Sequence, residues 1–158
     1  MPVEQYVAGL NRKPMGAGVL FRDTMGRVLL VEPSYRPEWG IPGGAVEAEE
    51  SPWAAAAREL FEEVGLDLPL GQLLVVDYVP PQDSRPEFVV FVFDGGILDE
   101  TIVERMLFPD GEIISASFHT LAEARSKVTP LLADRLTAAV QAVEQGVTAL
   151  CEQGRRLA

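Results

Sequence analysis

Apolar and polar positions along the chain fall into runs that predict alternating strands and helices. Met15 to Phe21 (MGAGVLF) is apolar, Arg22 to Arg27 is a polar turn with a glycine, and Val28 to Val31 is apolar again. Two such runs around a turn predict a β-hairpin. Glu32 to Trp39 is a polar, proline-bearing loop that leads into Gly40-Ile41-Pro42-Gly43-Gly44. Further on, Gly71 to Val79 reads as a strand and Pro80 to Pro86 as a turn-rich loop. Phe88 to Phe93 (FVVFVF) has the near-continuous apolar character of a buried central strand, ended by Asp94-Gly95-Gly96. Ile113 to His119 alternates weakly and reads as another strand. Ile97 to Leu107 admits a short helix or an irregular excursion, and Val147 to Leu157 carries no clear period.

Between these strands the period changes to that of helices. Ser51-Pro52 has the signature of a helix start, with Ser51 as N-cap and Pro52 at the first helical position. Gly65 supplies the stop. At about 100° per residue, Trp53, Ala57, Leu60 and Val64 fall on one stripe, widened by Ala56 and Phe61, with Glu59, Glu62 and Glu63 largely opposite. Thr120 to Val128 predicts a short helix, and Thr129 or Pro130 starts a long one reaching about Glu144. Its apolar residues Leu131, Leu132, Leu136, Ala139, Val140 and Val143 follow helical spacing. Strands interleaved with a few helices predict an α/β sandwich. With no repeat or linker visible, residues 1–158 are expected to form a single domain.

Composition narrows the function. The 47% hydrophobic content suits a packed core, and a net charge of −11 argues against a nucleic-acid surface. Cys151 is the only cysteine and His119 the only histidine. One chain therefore offers neither a disulfide nor a multi-histidine zinc site. His119 reads as a strand or strand-end residue. No apolar run approaches the length of a membrane span, and the first residues, MPVEQYVAGLNRKP, are too polar for a secretory signal. The expected location is cytoplasmic.

The acids are clustered: Glu47, Glu49, Glu50, Glu59, Glu62 and Glu63 lie within one short stretch. Carboxylates on adjacent helix turns repel one another, and they stand near the C-terminal end of the helix dipole, which disfavours anions. A solvated amphipathic helix shows an acidic stripe too. The glycines before the helix distinguish this one, because bare backbone can approach an ion or a phosphate closely. Hard divalent ions such as Mg²⁺ take carboxylate, phosphate and water oxygens. Glycine loop, acidic helix and divalent ion together point to work on a phosphoanhydride.

The run GAVEAEESPWAAAARELFEEVGL, from Gly44 to Leu66, resembles the Nudix box. It has a glycine, five residues, a glutamate, seven residues, then Arg-Glu-apolar-x-Glu-Glu-x-Gly-apolar. Gly44, Glu50, Arg58, Glu59, Leu60, Glu62, Glu63, Gly65 and Leu66 fill the fixed positions. The approach Trp39-Gly40-Ile41-Pro42-Gly43-Gly44 is similar to the segment that usually precedes such a box. The resemblance implies the Nudix fold, a mixed β-sheet between α-helices with the box at one edge of a substrate cleft.

It also implies an activity, the metal-dependent hydrolysis of a nucleoside diphosphate joined to another group. Glu59, Glu62 and Glu63 would hold Mg²⁺, with Mn²⁺ as substitute and a Gly43 or Gly44 carbonyl as a further ligand. Arg58 would fix the loop and helix by pairing with neighbouring carboxylates, Glu50 among them. Glu59 or Glu62 is the expected general base, and Glu112 an additional ligand or base unless it is a solvated loop acid. One departure stands out: relatives commonly have glycine just before the box glutamate, where this chain has Glu49.

The substrate stays open among nucleoside triphosphates, ADP-ribose and other nucleoside diphosphate derivatives. Pro81 lies 15 residues beyond Leu66, as in the ADP-ribose branch, but also reads as loop punctuation. Arg22, Arg27, Arg36 and Arg85 are candidates for phosphate contacts, and Tyr35, Trp39 and Tyr78 for stacking on a base. The rival class is a catalytically silent nucleotide-binding sensor of the same fold. Homodimers are frequent among relatives, and the partner implied is a small nucleotide-type molecule rather than nucleic acid or membrane.

Overall fold

The structure is a computed structural model, and it describes residues 1–157. In chain order the elements are α1 (Val3–Ala8), β1 (Met15–Arg22), β2 (Val28–Pro33), β3 (Gly43–Ala45), α2 (Pro52–Val64), β4 (Leu73–Val79), β5 (Phe88–Ile97), α3 (Glu100–Glu104), β6 (Ile113–His119), α4 (Leu121–Ala124), α5 (Pro130–Gln145), β7 (Ala149–Glu152) and β8 (Arg155–Arg156). The strands form one mixed sheet in the order β6-β2-β1-β5-β4-β7-β8, with β3 also paired to β1. β1 runs parallel to β5, β4 parallel to β7, and the other pairs are antiparallel.

Side-chain alternation in β1 divides the core into two layers. Ala17, Val19 and Phe21 face α2 and pack with Ala56, Leu60 and Val64. Leu20 faces the other way and joins Leu136, Ala139 and Ala142 of α5. The expected sandwich of a mixed sheet between helices is present.

Helix ends lie where the capping chemistry places them. Ser51 Oγ accepts the N–H of Ala54, Pro52 opens α2, and Gly65 closes it at φ 73°. Thr120 caps α4 and Thr129 caps α5, each through its hydroxyl. A cap of this kind contributes about 1 kcal/mol. The turn between β1 and β2 is organised by Asp23, whose carboxylate accepts the N–H groups of Met25 and Arg27 and the Arg27 guanidinium.

Several expectations need correction. The buried face of α2 is Ala55, Ala56, Leu60, Glu63 and Val64. Trp53 and Phe61 are 47% and 58% exposed, and Ala57 is exposed as well. The helix is rotated so that Glu63 turns inward to meet the glycine loop, which moves Trp53 to an edge-on contact with Phe93 at 5.2 Å. In α5 the buried positions are Ala133, Arg135, Leu136, Ala138, Ala139 and Ala142, so small residues and an arginine line the close contact. β5 does not stop at Asp94; it continues to Ile97 through a register shift opposite Leu20 and Phe21. The segment without a clear period forms β7 and β8, a short hairpin added beside β4.

Candidate active site

The site is built where β3 passes across β1 and the chain turns into α2. A Cβ on Gly43 would lie 2.4 Å from the Ala17 carbonyl oxygen, and one on Gly44 would lie 2.6 Å from the Glu59 carboxylate. Gly43 therefore requires glycine, because fixed backbone occupies that space, whereas at Gly44 a side chain would displace the Glu59 carboxylate. This close approach lets the Gly43 N–H donate to Glu63 Oε1 at 2.7 Å.

Arg58 holds the turn between loop and helix. Its Nε and Nη2 donate to the two oxygens of Glu50 at 2.8 and 2.9 Å, a bidentate pair. Nη2 also donates to the Ala45 carbonyl, and Nη1 donates to Glu59 at 3.0 Å and Glu62 at 3.2 Å. Glu47 lies 3.7 Å from the same nitrogen. The guanidinium holds the Glu50 carboxyl down at about 2, helped by the Glu47 backbone N–H, while these carboxylates push Arg58 further up. The Glu47–Glu50 turn places Glu49 at φ 63°, the left-handed region that suits the glycine this chain lacks there.

The electrostatics are uneven. Burial, then the neighbouring charges of Glu59, Asp110 and Glu112, push the Glu63 carboxyl up to about 8, against the lowering effect of the Gly43 bond. Burial also raises Glu59, with Glu62 and Glu112 adding to it and Arg58 opposing it. Glu112 is thus brought into the field of Glu59 and Glu63, although it is exposed on the loop before β6. Among the described residues no three His, Cys, Asp or Glu side chains already converge on one ion. Glu62 is directed to Arg58 and Glu63 to Gly43. The chemistry of the set nevertheless fits a hard divalent cation: neighbouring carboxylates, Glu59 and Glu63 raised and Glu63 buried, beside backbone stripped of side chains.

Beside this loop opens a cavity of about 540 Å³ on the α5 face of the sheet. Gly16, Gly18, Gly43 and Gly44 supply bare backbone to its wall, and Arg36, Arg85 and Arg135 supply charge. The four arginines expected to meet phosphate therefore separate. Arg22 pairs with Asp94 and Arg27 with Asp23, each at a structural post. Arg36 and Arg85 reach the cavity. None of the expected stacking residues lines it; Phe88 is the aromatic that does. Trp39 instead lies under the Lys127 ammonium, 4.6 Å away, and edge-on to His119. His119 ends β6 as a strand residue, with Nε2 2.7 Å from Ser117 Oγ.

Sequence reasoning missed Arg135 and Asp77. Asp77 is fully buried in β4, where its Oδ2 accepts from Arg135 Nε at 2.7 Å and its Oδ1 from the Gly154 N–H at 3.0 Å. The signal was available. Arg135 stands on the apolar face of its helix, beside Leu136 and one turn from Leu132 and Ala139, and Asp77 interrupts the apolar run LLVVDYV.

A model of the NUDIX domain matches residues 12–139. Over 66 residues the chain is 47% identical to diphosphoinositol polyphosphate phosphohydrolase 2 of Rattus norvegicus, covering 41% of this chain and 36% of the rat protein. The chain thus spans little more than a third of that relative. Among solved structures, it resembles the MutT protein from Methanosarcina mazei Go1 with a TM-score of 0.66 and 23% identity, over 87% of this chain and 98% of that one. It also resembles the NUDIX domain of Shewanella oneidensis NrtR complexed with ADP ribose, with a TM-score of 0.66 and 21% identity, over 93% and 100% of the two chains. At these identities the structural likeness is one of fold.

Proposed function

The chain belongs to the NUDIX domain family, and from that premise we propose that it hydrolyses a phosphoanhydride bond in a diphosphate joined to a second group. The observation that carries this reading is Glu63, a buried carboxylate fastened to the Gly43 N–H and raised by burial and by the neighbouring charges of Glu59, Asp110 and Glu112. Such a group is costly to fold around unless a cation or a proton compensates it.

Glu59, Glu62 and Glu63, with a carbonyl of Gly43 or Gly44, would hold Mg²⁺, or Mn²⁺ in its place. When bound, the ion neutralises charge on the phosphate oxygens and makes a bound water more acidic. The chain's own groups do the rest. Arg58 is a positioning residue: it ties Glu50, Ala45, Glu59 and Glu62 into one frame. Glu59 or Glu62 takes the proton from the attacking water. Glu112, whose charge acts on Glu59 and Glu63, would be a further ligand or base. Phosphoryl transfer asks mainly for positioning and charge neutralisation, which this set supplies.

The substrate is a small molecule whose second group occupies the cavity beside the glycine loop. Candidates are the diphosphoinositol polyphosphates named by the rat relative, ADP-ribose, nucleotide sugars and nucleoside triphosphates. No helix among the described residues is long and apolar enough to cross a membrane; a cytoplasmic location, a single domain over residues 1–158 and a homodimeric state complete the proposal. The test is phosphate or monophosphate release from that panel with Mg²⁺ or Mn²⁺, beside Glu63→Gln. Turnover of one compound that the variant abolishes supports the hydrolase. Tight binding of one compound without turnover overturns it in favour of a sensor.

A further inference from the structure

We infer that the cavity beside the glycine loop holds a second anion subsite, centred on Arg135, which binds a phosphoryl group remote from the bond that is cleaved. This rests on the reading above that the cavity receives the second group of the substrate. The chain has 24 acidic residues against 13 lysines and arginines. Yet the cavity wall contains three arginines and no carboxylate. Arg36 comes from the loop after β2, Arg85 from the loop after β4, and Arg135 from the second turn of α5, so three separate elements bring an arginine to the wall of one space. A chain this acidic gains nothing in solubility from such a convergence; an anionic ligand accounts for it.

Arg135 makes the argument specific. The residue is 9% exposed. It donates one hydrogen bond among the described residues, from Nε to Asp77, and its buried Nη2 has no partner. A buried guanidinium nitrogen left without an acceptor carries a desolvation cost that a bound oxyanion removes. Arg36 and Arg85 enter no ion pair among the described residues. The Arg36 guanidinium rests against Gly40, where a Cβ would approach its Nη2 to 3.1 Å. Phosphate monoesters carry close to two charges at neutral pH and three acceptor oxygens, which matches a set of converging guanidinium donors.

The β7–β8 hairpin, which lies beyond the residues matched by the family, fixes this subsite. Its Gly154 N–H anchors Asp77, and Asp77 orients Arg135. Gly154 sits at φ +77°, where a Cβ would come within 2.7 Å of the Leu131 carbonyl oxygen and 3.1 Å of the Arg135 backbone nitrogen. The hairpin is therefore pressed directly onto the first turns of α5.

The test is calorimetric titration of the full chain with inorganic tripolyphosphate in metal-free buffer, which keeps the carboxylate cluster out of the measurement. Binding should weaken at least tenfold in Arg135→Lys and severalfold in Arg85→Gln, an exposed position whose substitution leaves folding intact. Glu63→Gln should bind as the parent does. The affinity should also fall steeply with added salt. Absent binding, or binding indifferent to both arginine substitutions, overturns the subsite even if the substrate panel is turned over. If tripolyphosphate binds as described and nothing in the panel is hydrolysed, the subsite stands and the hydrolase reading falls.

Discussion

Glu63 Oε1 accepts the backbone N–H of Gly43 at 2.7 Å across 20 residues of sequence, and this bond joins the strand of the glycine loop to the carboxylate face of α2. It explains why α2 is rotated from the orientation that its apolar residues alone predict. Turning Glu63 inward leaves Phe61 in solvent, so the helix gives up apolar burial to place a carboxylate.

The sign of the resulting pH dependence is fixed by the direction of the shift. In the folded, metal-free protein Glu63 is pushed up to about 8, from an ordinary value of 4.5. The folded state therefore keeps a proton that the unfolded chain has lost. The stability linked to it is fully present below about 4.5 and is withdrawn as pH rises towards 8. Glu63→Gln should flatten this window and, in chelator, stabilise the protein at pH 9 by on the order of a few kcal/mol. With Mg²⁺ the order should reverse, because the parent offers the ion one more carboxylate and gains more from binding it. Urea unfolding at pH 5 and pH 9, with and without Mg²⁺, measures this. Parallel pH profiles for parent and variant would falsify the assignment.

Arg58 cannot be replaced by another cation. Lysine keeps the charge but loses the two-pronged pair with Glu50 and the bond to Ala45. Arg58→Lys should lower kcat more than tenfold with little change in KM, since the residue positions the carboxylates and does not line the cavity. The same substitution releases Glu50, whose carboxyl is held at about 2. A depressed carboxyl contributes stability above its ordinary value that is lost as pH falls through the folded one, so the acid-unfolding limb of the variant should move to higher pH. Steady-state kinetics and acid titration by circular dichroism report the two effects separately.

Glu49 provides a test of backbone strain. Its φ of 63° costs a non-glycine residue about 1–2 kcal/mol, whereas glycine adds about 0.4–1 kcal/mol of unfolded-state entropy. Glu49→Gly should therefore be neutral to stabilising by up to about 1 kcal/mol. Glu49→Ala, which removes the charge without relieving the backbone, should lack that gain. Thermal unfolding of the three proteins decides it: equal midpoints for the glycine and alanine variants would show that the turn is unstrained.

Local chemistry made much of this fold legible. Ser51, Thr120 and Thr129 announce helix starts and Gly65 a stop because capping is a property of a few adjacent residues. The box carboxylates were legible for the same reason. The inward turn of Glu63 was not, since it depends on Gly43 arriving from another strand. The continuation of β5 was hidden by Gly95 and Gly96, which read as a terminator but accommodate a register shift beside β1. The cavity arginines lie on segments far apart in sequence, and only the closing of the sheet brings them together. β7 and β8 are too short to show a period, and they form because β4 offers an edge for β7 to pair with.

Two glycines separate activity from stability. A Cβ at Gly44 would meet the end of the Glu59 side chain at 2.6 Å, and a flexible carboxylate can swing away. A Cβ at Gly95 would lie 2.4 Å from the buried Phe21 ring and 2.8 Å from Val19, neither of which has room to move. Gly44→Ala should thus fold with a midpoint close to the parent's but lose more than tenfold in turnover, because Glu59 is displaced from the frame that Arg58 sets. Gly95→Ala should lose roughly 1–3 kcal/mol, the cost of overpacking a filled core, while the folded fraction keeps its activity per molecule. Measuring the unfolding midpoint and kcat for both variants is the decisive comparison. If Gly44→Ala loses stability and not activity, the glycine serves the fold, and the position of Glu59 is not what limits the chemistry.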